Sequence, residues 1–383
     1  MRNLITKLVI ILCLAIGFIS CKDNNDEPKI ENKEANRTIL VYMVATNTLS
    51  GYDKMDIQEM LMAANDIDLS KNNIIVYHCS KSSNPKLIKI TNKNGIATEE
   101  ILKEYSDQYS SLEKVRFSEV FMDIKKFAPA KDYGLILWSH AMSWTPSRIL
   151  IDNNVSPTYF GDDYGKHLNI DQLADAIPND LFSFIWMDCC YMASIECAYE
   201  LRNKCQWFIA YPTEILSNGM PYNLTLPYLT KENIDIVGAA EATFNYFNDS
   251  YDSNYCTISV VDMSQLNQVA EATKVLMSTF KPIDTKDLQK FSRGSQGPYY
   301  DFAQYVYQAS VNTDNFSEKY ANFTSALNNA IVYKNYTAKF LNLKINQCSG
   351  LSTHAVMYDG SDNEKYYYTL DWFNDIYPQI AQN

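Results

Sequence analysis

An apolar run at residues 181–187 ends in Asp188-Cys189-Cys190 and passes into a helical pattern with Met192, Ile195 and Tyr199 on one face. A strand apolar along its whole length is buried on both faces, so the chain must supply a covering layer on each side of a sheet. A second such run, residues 133–139, ends in His140, fifty residues before Cys190. In open α/β sheets ligands bind at the carboxyl ends of such strands. A helix N-terminus there favours negative charge and lowers the pKa of a nearby thiol. The sequence therefore carries a His and a pair of Cys to the edge of a sheet where chemistry is done.

The same alternation runs through the chain. Strands are expected at 38–45, 73–78, 133–139, 182–187 and 207–211, with helices at 55–64, 116–127, 171–177 and 193–203 between them. That order predicts a parallel or mostly parallel sheet. After about residue 230 the pattern changes. Helices are expected at 235–248, 263–280, 302–309 and 320–332, a strand at 257–261, a loop at 293–299 and short strands at 351–358 and 366–370. This half is expected to pack on the first and to extend its sheet.

A chain of 383 residues can bury a large core. Its formal net charge of −12, with no Lys/Arg cluster, argues against nucleic acid as a partner. Arg2 and Lys7 precede an apolar stretch, residues 8–19, that is short for a membrane span and reads as an export leader. Its end, Phe18-Ile19-Ser20-Cys21, resembles a bacterial lipobox. The resemblance implies cleavage before Cys21, a lipid on that residue and anchoring at the outer membrane, with surface exposure hinted by the acidic residues that follow. The alternative is an ordinary secretory signal, and either way the chain leaves the cytoplasm. The organisation read from the sequence is a leader at 1–20, a polar tether at 21–36, a core at 37–230 and a C-terminal extension at 231–383. Beyond Cys13 and Cys21, seven of the nine cysteines remain. An odd number in an exported chain points to a free thiol, and no paired CxxC spacing suggests a metal site.

Cys189 and Cys190 project in different directions, so one faces the site, and alternation along the strand does not choose between them. A thiol nucleophile needs a base that takes its proton and later protonates the leaving amine, a role open to His140. It also needs N–H donors for the oxyanion, for which the backbones of Ala141 and Cys190 are candidates.

A His at one strand end and a Cys at the next, at about this separation, resembles caspase-like cysteine peptidases. Ser139-His140-Ala141-Met142-Ser143-Trp144 and Asp188-Cys189-Cys190-Tyr191-Met192 are similar to the His and Cys motifs of the clostripain family. Ala210-Tyr211-Pro212-Thr213-Glu214 and Asn218-Gly219-Met220-Pro221-Tyr222 match the segment that follows in that family, and the likeness runs from about 37 to 225. The resemblance implies a caspase-like three-layer α/β sandwich around a central, mostly parallel sheet, with a C-terminal α/β extension. It implies an endopeptidase with Cys190 as nucleophile, Cys189 at a position usually Ala, and His140 as base. Cleavage after Arg or Lys would follow, with protein or peptide substrates held by a pocket carboxylate. Asp188 is the candidate, its alternative role being to cap the following helix; Glu214 would line the pocket or pin its loop. Ala141 replaces the usual Gly after His, which would strain an oxyanion donor if positive φ were required there. Calcium, needed by some relatives, finds no recognisable ligand loop, so no cofactor is expected. Self-cleavage between the two motifs, seen in some relatives, would fall at Arg148 or Lys166. Two competing readings are a binding lipoprotein that has lost activity and another thiol acyl-transfer enzyme.

Overall fold

The computed structural model describes residues 34–146, 160–249, 254–294, 297 and 299–378. The apolar runs become strands β1 (Ala35–Ala45), β2 (Asn72–Ser80), β5 (Ala130–Trp138), β8 (Phe182–Asp188) and β9 (Cys205–Ala210). Between β2 and β5 the chain also forms β3 (Ser83–Lys93) and β4 (Ile96–Glu104), which the strand search missed. Their two-residue connection, Asn94-Gly95, has φ of 57° and 83°. This is the Asn-Gly hairpin signal, and it was present in the sequence. A small hairpin, β6 (Phe160–Asp163) and β7 (Lys166–Leu168), follows β5.

Among the described residues nine strands form one sheet, in the order β12-β10-β9-β8-β5-β1-β2-β3-β4, where β10 is Thr257–Asp262 and β12 is Ile331–Tyr336. The five central strands, β9 to β2, run parallel, and both margins are antiparallel. Alternate residues of β1 face opposite cores. Leu40, Tyr42 and Val44 join one cluster, while Ile39, Val41 and Met43 join the other. Two-sided burial of this kind follows from parallel connections that place helices on both faces.

Helices α1 (Tyr52–Ala63), α5 (Tyr222–Leu229) and α6 (Ile236–Asp249) cover one face. The other face is covered by α2 (Lys114–Phe127), α3 (Ile170–Ala176), α4 (Ile195–Glu200), α7 (Leu266–Met277), α8 (Phe302–Ser310) and α9 (Phe316–Ala330). Two short helices, α10 (Asp362–Tyr367) and α11 (Asp371–Ile376), close that layer. From Glu34 onward the chain forms one compact unit. The sequence likeness to a caspase-like α/β sandwich thus corresponds to the observed architecture.

Three expectations for the C-terminal part are corrected. The helix expected through residue 332 stops at Ala330, and the chain turns into edge strand β12. Residues 366–370 are not a strand, because Ser361 caps α10 by accepting from the N–H of Glu364. In 351–358 only Ser352–Thr353 pairs, with Tyr300–Asp301. Beyond it, backbone N–H groups go to carboxylates. His354 donates to Glu196 at 2.9 Å, and Met357, Tyr358 and Asp359 donate to Glu364. The described residues begin after the leader, so Cys21 and the lipobox lie outside them. No helix among the described residues is long and apolar enough to cross a membrane.

Candidate active site

Strand β1 has β2 on one side and β5 on the other, so the chain's course reverses beside it. The carboxyl ends at such a switch point form a crevice. There, Ser139 Oγ donates to the carbonyl of Val44 at 2.9 Å and accepts from Asn47 Nδ2 at 3.3 Å and the N–H of Asp162 at 3.2 Å. These bonds tie the segments after β1, β5 and the β6 hairpin together. His140 comes next, and its carbonyl accepts from the N–H of Gly161 at 2.8 Å. Its Nε2 lies 2.7 Å from Thr48 Oγ1. Burial lowers the pKa of this imidazole, against the opposing charge of Asp162. The ring is therefore neutral near pH 7, the state a base requires.

Strand β8 ends at Asp188, and the chain turns sharply through Cys190 and Tyr191. Tyr191 takes φ of 63°, with its N–H bound to the carbonyl of Thr213 at 2.8 Å. Cys190 is half-buried, and its thiol donates to the carbonyl of Ile215 at 3.7 Å. Burial pushes this thiol up to about 12, while its bond to Ile215 opposes the shift. The helix N-terminus expected to acidify it does not stand at the thiol. Helix α4 starts only at Ile195, has six residues, and is capped by Ser194 Oγ, which accepts from the N–H of Cys197. Cys189 is 1% exposed and belongs to the core on one sheet face. All seven described cysteines are free.

His140 and Cys190 line one cleft of about 430 Å³ together with Ala141, Asp188 and Glu214. The two side chains rest in separate hydrogen bonds, to Thr48 and Ile215. Such slack is common in uncomplexed sites, where catalytic contacts tighten on binding. Ala141 keeps negative φ, so its replacement of Gly strains nothing. It lies opposite Phe160 in an isolated antiparallel bridge whose hydrogen bond comes from the flanking His140–Gly161 pair. That register turns the Ala141 N–H away from Phe160.

Asp188 is 3% exposed at the cleft floor. It accepts from the N–H of Met220 at 3.0 Å and from the Tyr222 hydroxyl at 2.9 Å. It caps no helix, since Ser194 does. Burial raises its pKa to about 7, with those two bonds opposing. A β-carbon at Gly219, where φ is 58°, would fall 2.9 Å from Asp188 Oδ2 and 3.4 Å from the Trp138 indole nitrogen. Both the conformation and the open floor call for glycine there. Glu214 is differently occupied. Arg293 grips its two oxygens at 2.6 and 2.8 Å, so its charge is spent within the protein. Lys166, at the start of β7, is exposed and 3.5 Å from Glu113; Arg148 lies outside the described residues.

One neighbour escaped the sequence reading. Asp56 on α1 is 1% exposed, with Oδ2 unpartnered. Burial first, then the charge of Asp188, raises it to about 9, against a hydrogen bond with Trp138. A carboxyl with a raised folded-state pKa costs stability above its unfolded value near 3.8. The cost is present at pH 7 and vanishes as pH falls below about 4. Asp56→Asn should therefore stabilise the fold on the order of 2–4 kcal/mol at pH 7 and not at pH 3.5. Chemical denaturation at the two pH values checks this; an equal gain at both would dissociate it from ionisation.

Among the described residues no group of three or more His, Cys, Asp or Glu side chains is placed to hold a metal ion. The sequence matches the clostripain family over residues 41–379. This chain belongs to the clostripain family. Similar solved structures are C11 proteases. An inactive zymogen of a C11 protease from Parabacteroides distasonis is 26% identical over 90% of this chain and 99% of its own, with a TM-score of 0.80. A secreted C11 cysteine protease from Bacteroides thetaiotaomicron, in complex with an irreversible peptide inhibitor, is 28% identical over 90% of this chain and 100% of its own, with a TM-score of 0.76. A further secreted C11 cysteine protease from the same organism, iotapain, shares the fold at 23% identity and a TM-score of 0.78, covering 90% and 99% of the two chains. A comparison with curated sequences gave no match. As a clostripain-family member this protein is a cysteine peptidase.

Proposed function

We propose that this clostripain-family peptidase is an exported endopeptidase that cleaves after Arg or Lys through a Cys190–His140 dyad. The observation that carries the proposal is one cleft holding Cys190, His140 and, at its floor, a buried carboxylate that forms no ion pair with a cation among the described residues. In this mechanism His140 Nε2 leaves Thr48 and takes the Cys190 proton as the sulfur attacks the scissile carbonyl. The oxyanion is met by the backbone N–H groups of Ala141 and Cys190. His140 then protonates the departing amine, and water hydrolyses the thioester with His140 again as base. The coupling matters because the resting thiol is neutral. Its proton has to leave in the step that forms the bond. The basic side chain of the substrate would reach down to Asp188. That the substrate is a peptide accords with a relative bound to a peptide inhibitor.

His140→Ala should lower kcat by roughly 10²–10⁴-fold. It should also slow alkylation of Cys190 near neutral pH, since the imidazole that takes the thiol proton is removed. Turnover of an Arg-ended fluorogenic peptide and the rate of iodoacetamide labelling check both. Alkylation kinetics equal to the parent enzyme would make His140 structural. The reading as an inactive binding lipoprotein loses its main support, because Ala141 sits at an ordinary φ.

Export and a lipid on Cys21 belong to the same proposal and rest on the leader, with one relative described as secreted. Cys21→Ala should abolish fatty-acid labelling and move the protein from the membrane pellet to the soluble fraction. Retention of the variant in the pellet would count against a lipid anchor.

A further inference from the structure

Arg293 lies about a hundred residues beyond the nucleophile, in the C-terminal extension, yet its guanidinium reaches the edge of the cleft. Its Nε and Nη2 hold the two oxygens of Glu214 at 2.6 and 2.8 Å, and the side chains are 32% and 15% exposed. Glu214 lines the cleft, and its two chain neighbours hold the nucleophile's turn: the carbonyl of Thr213 accepts from the Tyr191 N–H at 2.8 Å and that of Ile215 from the Cys190 thiol at 3.7 Å. Tyr191 directly follows Cys190 and has φ of 63°. A bulky residue stays in that region only when its surroundings hold it there. The Tyr191 ring packs against Tyr299, with centroids 5.0 Å apart. Tyr299 in turn donates to the carbonyl of Met142 at 2.5 Å and lies 2.6 Å from Thr145 Oγ1, on the segment led by His140. Two residues of the extension thus grip the segments carrying the two members of the dyad.

We propose that Arg293 is a positioning residue for the nucleophile. Through Glu214 and the flanking carbonyls of Thr213 and Ile215 it holds the strained turn, so that the Cys190 thiol and backbone N–H face the cleft. The proposal rests on Cys190 being the nucleophile. A planar, bidentate guanidinium fixes the Glu214 carboxylate in direction as well as place, which a single point charge does not. Catalytic geometry is sensitive to such support, because a shift of about 1 Å costs on the order of a hundredfold. The extension is then part of the catalytic apparatus, rather than a cover laid over a complete site.

The test uses the full mature chain with Arg293→Ala, Arg293→Lys, Glu214→Gln and the exchanged pair Arg293→Glu with Glu214→Arg. Four quantities are read: kcat and KM on an Arg-ended peptide, the iodoacetamide rate at Cys190, and thermal unfolding. Arg293→Ala should lower both kcat and the alkylation rate by about 10- to 100-fold, with KM within about threefold of the parent. Arg293→Lys should recover part of both rates, and the exchanged pair should exceed either of its single variants. An unchanged kcat and alkylation rate in Arg293→Ala overturns the proposal. So does a rise in KM alone, which would make Arg293 a substrate contact. If Arg293→Ala does not fold, Glu214→Gln and Arg293→Lys decide: normal rates in both reject the role. A parent enzyme that neither turns over peptide nor labels at Cys190 would instead reject the nucleophile assignment, a different outcome from any above.

Discussion

Replacing Cys190 by alanine is expected to lower turnover by roughly 10⁴- to 10⁶-fold, the range seen when a covalent nucleophile is removed. The fold should survive. The side chain is half-buried, its one hydrogen bond is a long thiol contact to Ile215, and alanine fills most of its volume, so stability should change by about 1 kcal/mol or less. Cys189→Ala is the control. That thiol is 1% exposed, packs in the core and does not line the cleft, so its loss should leave the kinetics near the parent's. Steady-state assays with thermal unfolding on both variants check the pair. Equal loss in both would overturn the assignment between them.

Asp188→Asn is expected to have the next largest effect, and a selective one. A buried carboxylate facing a guanidinium or ammonium forms a charge-assisted pair whose loss costs about 2–5 kcal/mol. That corresponds to roughly 30- to 4000-fold in kcat/KM on Arg- or Lys-ended peptides. A Leu-ended peptide should be little affected. The amide oxygen can still accept from Met220 N–H, and the Tyr222 hydroxyl, which donates to the other carboxylate oxygen in the parent, can turn to accept from the amide nitrogen, so the floor keeps its shape. The pH profile adds a second signature. Asp188 is held to about 7 by burial, so the free enzyme loses the pocket charge as pH falls through that value. Activity on basic peptides should therefore drop near pH 7, above the limb set by the lowered pKa of His140. In Asp188→Asn the upper limb should disappear and the lower remain. A ratio of Arg-ended to Leu-ended efficiency that survives the substitution would leave Asp188 as structural support alone.

The central strands were legible because two-sided burial leaves uninterrupted apolar runs, and β1 and β8 are extreme cases. His140 and Cys190 were legible because both follow such runs directly. Margins were harder. Strand β12 is half-exposed along its length and follows α9 without a break, so no composition change marks the boundary. The residues after Thr353 look strand-like, but their N–H groups are taken by carboxylates, that of Glu196 from far off in sequence and that of Glu364 from the helix that follows. Asp56 read as one more polar residue of a helix. Its burial depends on Trp138 and Asp188, which only the fold brings beside it. Glu214 lines the cleft, and its partner Arg293 sits in a stretch with no periodicity to mark it. The thiol's environment was the clearest error. Strand-to-helix passage was inferred from an apolar face, whereas an irregular turn with Tyr191 at positive φ intervenes.

The central claim is that one thiol, Cys190, attacks peptide carbonyls with His140 as its base. The most direct measurement treats the mature protein with an irreversible Lys- or Arg-ended peptide inhibitor and maps the adduct by tandem mass spectrometry. The account predicts one adduct per chain, on Cys190, lost in His140→Ala and weakened in Asp188→Asn. An adduct on Cys189 or on another cysteine, or labelling of Cys190 that proceeds equally without His140, would contradict it.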